Sequence, residues 1–274
     1  MLICLPPSEG KTPAPDGAAP VDLARLTAAE RLTTQRGAVL EALASVSARD
    51  DATTVLGVGA SLAAEVARNV DLKSAPAAPA ARVYTGVLYA AAGLADLADD
   101  AARDVLVFSG LWGVVSPADL VPAYRLSMGA DLPGVGRLAT AWRPHLSAAL
   151  DARAAGDVVV DCRSATYLAA WKPATTGDAA ADWVTVRVVR EADGRRTVVS
   201  HNAKHTRGVL TGHLLRRSGP APTSAAELLD AARELDGQVI GTEVGTGLSY
   251  RMLEATLHDA ATRRGPRTLE VVIA

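Results

Sequence analysis

Apolar residues occur along this chain in three kinds of run, and each predicts a different element. Continuous aliphatic runs stand at Met1–Leu5, where Pro6 and Pro7 stop the pattern, at Asp104–Phe108 ("DVLVF"), at Asp157–Cys162 ("DVVVDC") and in the closing "TLEVVI". Such runs, bounded by alanine-rich helical segments or turn residues, predict strands in the middle of a sheet. Strict alternation appears in "WVTVRVVREADGRRTVVSH" (Trp183–His201), centred on Asp193-Gly194, and predicts a hairpin. Helical signals come third. Thr27 as N-cap with Glu30 three residues on forms a capping box for a helix running towards Ala48. Further helices are expected over Leu62–Asn69, Ala203–Arg217 and Ser224–Leu235. Thr12–Pro20 reads as a loop, and "SAPAAPAA" (Ser74–Ala81) is the most linker-like stretch, though short enough to be a surface loop instead. The expected fold is α/β (mixed α+β): a single compact domain over residues 1–274, with a mixed central sheet and flanking helices.

Composition narrows this picture. A chain of 274 residues with 49% hydrophobic content can bury a sizeable core. Its 28 Lys and Arg against 30 Asp and Glu give a net charge of −2, so an anion-binding surface must come from local clustering. Cys4 and Cys162 lie far apart inside apolar runs and read as buried thiols in a reducing compartment, not as a disulfide framework. The N-terminus lacks the pattern of a signal peptide and no run has the length of a membrane span. The expectation is a cytoplasmic protein with no membrane partner.

Four stretches carry candidate chemistry. "EGKT" (Glu9–Thr12) follows a strand as a phosphate loop would, but Leu5 stands where the first glycine belongs and Pro13 and Pro15 break the following helix. Lys11 can still set a point charge beside an anion at a strand end, or be a solvated loop lysine. "LGVGASLAAEV" (Leu56–Val66) fails as a dinucleotide fingerprint because Leu62 replaces the third glycine. It suits a helix-hairpin-helix-like element over residues 40–70, in which Gly57 and Gly59 let main-chain N–H groups approach a phosphate. An ordinary helix–helix turn is the other reading. "SHNAKHTRGVLTGHLLRR" (Ser200–Arg217) holds His201 and His205 four apart, with no Cys, Asp or Glu nearby to complete a metal site. From Asp182 to Arg217 there are eight Lys and Arg against three Asp and Glu, a local excess that suits either a phosphate-bearing partner or a solvated basic face. Finally, "GLWGVVSPADLVPAYRLSMG" (Gly110–Gly129) has no general-base histidine and no paired carboxylates. Asp119, Tyr124 and Arg125 are its reactive-looking members, and from its residues alone it is a structured, functional loop.

Those same residues carry a resemblance. The run from Ser109 to Gly129 is similar to the long signature of the peroxide stress protein YaaA family at Ser109, Gly110, Leu111, Gly113, Pro117, Asp119, Pro122, Tyr124, Arg125, Leu126, Met128 and Gly129. Lys11-Thr12, "VYTG" (Val83–Gly86), "DCRSATY" at Ser164 and Tyr167, and "AKHTRG" at Ala203, Lys204, Arg207 and Gly208 resemble further family blocks in the same order. Trp112 stands where Tyr is usual, and Ser127 where Glu is common. The resemblance implies a cytoplasmic protein of the hydrogen peroxide response that limits iron-linked damage. It further implies a compact mixed α/β fold with a helix-hairpin-helix element and a positively charged cleft suited to DNA.

Two functions follow as expectations. In the first, Lys11, Thr12, Gly57, Gly59, Tyr124, Arg125, Ser164, Lys204 and Arg207 contact the backbone of duplex or structured DNA without reading sequence. In the second, the same cluster serves an enzyme acting on a nucleotide or another phosphorylated small molecule. A protein–protein adaptor, the third option, predicts a broad apolar patch instead of a charged cleft. No cofactor and no metal are expected in any of them.

Overall fold

The structure, a computed structural model, describes residues 1–97, 102–199, 201–242 and 249–274, with His201 described by its main chain only. Nine strands form one mixed sheet: β1 (Leu2–Leu5), β2 (Val105–Ser109), β3 (Gly113–Val115), β4 (Val158–Asp161), β5 (Asp182–Ala192), β6 (Arg195–Val198), β7 (Val239–Thr242), β8 (Ser249–His258) and β9 (Arg267–Ile273). Their order is β7-β8-β9-β5-β4-β1-β2-β3, with β6 paired to β5. β2, β1, β4, β5 and β9 are mutually parallel, and the remaining pairings are antiparallel. All residues of β1, β2 and β4 are buried, which is why those strands are continuous apolar runs without alternation.

Nine α-helices are described: α1 (Ala29–Ser47), α2 (Ala52–Val55), α3 (Ala63–Ala67), α4 (Ala80–Val83), α5 (Val87–Ala92), α6 (Leu138–Ala154), α7 (Ala165–Leu168), α8 (His201–Arg216) and α9 (Ala225–Arg233). α1 contacts α6, while α5, α8 and α9 form a second group against β5 and β8. Leu88 and Ala92 of α5 lie against Gly208 and Gly212 of α8, so the two helices run side by side in the same direction. A Cβ on Gly208 would collide with the Leu88 carbonyl oxygen, so only glycine allows this approach.

The hairpin forms as expected, with Asp193 (φ 51°) and Gly194 (φ 70°) both left-handed in a two-residue turn. β5 is longer than either neighbour on one of its edges. β4 pairs with it as far as Thr185 and β6 takes over at Val189, leaving a gap between. Arg207 fills that gap, donating from Nε and Nη2 to the Val186 carbonyl at 3.1 and 2.8 Å.

The expected capping box at Thr27 does not form. The N-cap of α1 is Ala28, left-handed at φ 56° and without a side-chain cap. Thr27 is held elsewhere: its N–H donates to Asp119, its hydroxyl accepts from the Ser116 N–H, and its carbonyl accepts from Arg36. Tertiary contacts with the 110–119 loop outweigh a local cap here. The Ser74–Ala81 stretch is no linker either, since Pro76 bridges Pro20 and Ala78–Pro79 pairs with Leu120–Val121.

Candidate functional site

Among the parallel strands, the chain passes from β1 to β2 on one side, then crosses to β4 on the other. The carboxyl ends of β1 and β4 therefore part at a topological switch point, the place where open α/β sheets hold ligands. Segments leaving these strand ends carry polar residues: Ser8, Glu9 and Lys11 after β1, Ser109 closing β2, and Ser164 and Tyr167 after β4.

Lys11 stands at the centre of this mouth and is half-buried. Its main chain bridges Tyr84, and its Nζ donates to the Ser8 carbonyl at 2.8 Å and towards that of Glu9 at 3.4 Å. The same nitrogen lies 4.4 Å from the Tyr124 ring centroid and 5.6 Å from that of Tyr84. Beneath it runs a buried hydroxyl network. Tyr124 OH meets Ser109 Oγ at 2.6 Å and Tyr84 OH at 3.0 Å, and Ser109 Oγ accepts the N–H groups of Leu111 and Trp112. Burial pushes the Tyr84, Tyr124 and Tyr167 hydroxyls upward, so all three stay protonated at neutral pH.

Arg125 closes one side. It reaches Glu65 of α3 through Nε at 3.0 Å and Nη2 at 2.8 Å, while Asn69 pairs with its main-chain N–H and C=O at 2.9 Å each. Glu65 is thus committed to Arg125, and no carboxylate oxygen lies within 4.0 Å of Lys11 Nζ among the described residues. Burial drives the Lys11 ammonium down to about 7, and the Arg125 charge adds to this against the pull of Glu65 and Glu9.

The fold brings some of the predicted residues together and sets others apart. Lys11, Thr12, Tyr124 and Arg125 come together, with Thr12 exposed at the rim and its N–H bonded to the Val83 carbonyl. Ser164, exposed, precedes α7 and stands three residues from the half-buried Tyr167. Lys204 is exposed on α8, one turn before Gly208, which packs against Leu88 and Ala91 of α5. Arg207 is turned inward to Val186. Gly57 (φ 65°) and Gly59 form an exposed turn between α2 and α3, with open space where a Gly57 side chain would project. From Arg49 to Lys73 three basic residues face four acidic ones, so that turn carries no positive surplus.

The basic excess between Asp182 and Arg217 is largely consumed internally. Arg187, Arg196 and Arg217 are ion-paired with glutamates, and Arg216 donates to the Ala92 and Gly93 carbonyls at the end of α5. Sequence reasoning did not single out Glu65, Asn69, Tyr84 or Ser109 as site residues. Tyr84 and Ser109 sit in family-like blocks and had a signal there, whereas Glu65 and Asn69, about sixty residues from Arg125, had none.

Comparison with known proteins decides the family. The sequence model described as "Peroxide stress protein YaaA" matches residues 1–233. This chain belongs to the peroxide stress protein YaaA family. It is 43% identical over 265 residues to a UPF0246 protein of Streptomyces coelicolor, covering 94% of this chain and 99% of that one. A UPF0246 protein of Corynebacterium efficiens is 39% identical over 236 residues, 85% of this chain and 92% of its own. In this YaaA-family member neither thiol suits direct reaction with peroxide. Cys4 and Cys162 are both free and buried on adjacent strand ends, and burial raises both, Cys162 to about 12. No helix among the described residues is long and apolar enough to cross a membrane.

Proposed function

We propose that this YaaA-family protein serves the peroxide response by binding DNA through its sugar–phosphate backbone at the mouth around Lys11, limiting iron-linked damage there. One observation carries the reading: Lys204 and the hydroxyls of Thr12 and Ser164 are exposed, and among the described residues no carboxylate is bonded to any of them. They would take phosphate oxygens at the rim, with Lys11 facing the sugar from below. Because most other cations of α8 and β5 are engaged within the fold, the footprint is small. The slope of log K against log salt should be about −1 to −2, at roughly −0.9 per phosphate neutralised. Lys204→Ala should reduce that slope by about one. Lys11→Met should reduce it by up to about one at pH 6 and by less at pH 8, where Lys11 is largely uncharged. Binding that is absent at low salt, or insensitive to salt, overturns the reading.

The second reading, a small phosphorylated ligand and enzymatic chemistry, is favoured by the half-burial of Lys11 at the switch point of the parallel sheet. Saturable binding of a phosphorylated small molecule, with no affinity for duplex or single-stranded DNA, would select it.

A further inference from the structure

We propose that Lys11 is a nucleophile towards carbonyl carbon, condensing with the aldehyde of a phosphorylated sugar to form a Schiff base. The inference rests on the ligand mouth described above, but holds whether the sugar belongs to DNA or to a small molecule.

The geometry differs from that of a lysine placed to hold phosphate. Its amine is drawn back from the rim by two main-chain carbonyls, Ser8 at 2.8 Å and Glu9 at 3.4 Å. A neutral amine has two N–H bonds and one lone pair. These two acceptors can take both N–H groups, leaving the lone pair for an incoming carbon. The Tyr124 ring at 4.4 Å gives the amine an apolar floor. Arg125 retains Glu65, so a second cation stands nearby while, among the described residues, no carboxylate contacts Lys11. Desolvation and a neighbouring cation are the two devices by which proteins free a lysine amine for this chemistry. The facing charged groups agree in sum: burial and Arg125 lower Lys11 to about 7, Glu65 and Glu9 oppose them, and the surrounding tyrosines are neutral.

The step balances without a redox partner. The Lys11 lone pair forms the C–N bond as the carbonyl π pair moves to oxygen, which takes the proton released by nitrogen. The C–O bond of the resulting carbinolamine then breaks, its hydroxyl leaving as water with the remaining N–H proton as the nitrogen electron pair forms the C=N bond. Nothing is oxidised or reduced until a trapping reagent is added.

The chain has four lysines, Lys11, Lys73, Lys172 and Lys204, so a trapped adduct can be assigned cleanly. The N-terminal amine, paired with Asp157, is scored separately. The full-length protein is incubated with borohydride and, in separate arms, an abasic-site oligonucleotide, the same duplex intact, glyceraldehyde 3-phosphate and unphosphorylated glyceraldehyde. Adducts are mapped by peptide mass spectrometry. The expected result is an adduct at Lys11 formed at least tenfold faster than at Lys73, Lys172 or Lys204, rising between pH 6 and 8 and then levelling. Phosphorylated aldehydes should outpace glyceraldehyde, and the intact duplex should give none. Lys11→Arg should abolish trapping, with a cooperative thermal melt showing that the variant chain is folded. Adducts spread evenly over the lysines of the wild-type chain overturn the proposal, as does undiminished trapping in Lys11→Arg. Trapping of glyceraldehyde 3-phosphate without affinity for intact DNA would refute the DNA reading alone. Salt-sensitive DNA binding without a Lys11 adduct would refute this one alone.

Discussion

Arg36 of α1 is wholly buried, yet it organises the loop that forms one wall of the mouth. Its Nε donates to the Trp112 carbonyl at 3.0 Å, and its Nη2 to those of Thr27 and Val114 at 2.7 Å each. Burial lowers it to about 10, so it remains charged at neutral pH. Arg36→Met would remove the guanidinium donor from three carbonyls, of which that of Trp112 keeps the Val114 N–H, and the expected loss is about 2–4 kcal/mol, read as a lower urea midpoint. Tyr124→Phe is milder. It removes the hydroxyl from Ser109 and Tyr84 but leaves Ser109 with its two N–H donors, and should cost about 1 kcal/mol in the same measurement. Asp161 and Arg163, both buried, form a bidentate pair at the end of β4, and Trp183 donates to the same carboxylate at 3.0 Å. Asp161→Asn would strand the guanidinium, with an expected loss of about 3–5 kcal/mol.

At the scale of elements, two glycines in helices make opposite predictions. Gly208→Ala would force α8 away from α5, because its Cβ meets the Leu88 carbonyl and the Ala91 side chain. The expected outcome is a destabilisation of about 3 kcal/mol or more, or loss of soluble protein. Gly37 lies within α1 and nothing stands within 4 Å of the position its Cβ would take. Gly37→Ala should therefore raise stability by up to about 1 kcal/mol, through helix propensity alone. A thermal melt of the two variants beside the wild type checks both signs. The displaced cap of α1 belongs to this scale as well, since Thr27 serves the 110–119 loop and not its own helix.

At the scale of the whole molecule, Lys11 links the site to stability. Its folded-state value of about 7 lies below its ordinary 10.5, so between those values the unfolded chain holds a proton that the folded chain has released. Folding stability from this group therefore rises with pH across that window, and the penalty of a buried charge is fully present below about pH 7. Lys11→Met should be more stable than the wild type at pH 6, by on the order of 1 kcal/mol given solvent screening at the half-buried amine. That advantage should fade as the pH approaches 10. Thermal unfolding of both proteins from pH 6 to 10 tests the sign.

The strands β1, β2, β4 and β9, the Asp193-Gly194 hairpin, and the helices α8 and α9 were legible along the chain, because burial on both faces, alternation and turn chemistry are local properties written in periodicity. Family membership was legible too, in the blocks around Lys11, Tyr124 and Lys204. What tertiary structure alone decided is which of those residues meet, and in what electrical state. Arg207 is a candidate phosphate contact in the sequence, but β5 changes partners between Thr185 and Val189, and the Val186 carbonyl there accepts from this guanidinium. Glu65 carries no signal in the sequence, yet it pairs with Arg125, and no carboxylate among the described residues contacts Lys11. Local sequence fixes what each segment can become. Charge pairing and desolvation depend on residues about sixty positions apart arriving at one strand end, and only the fold brings them there.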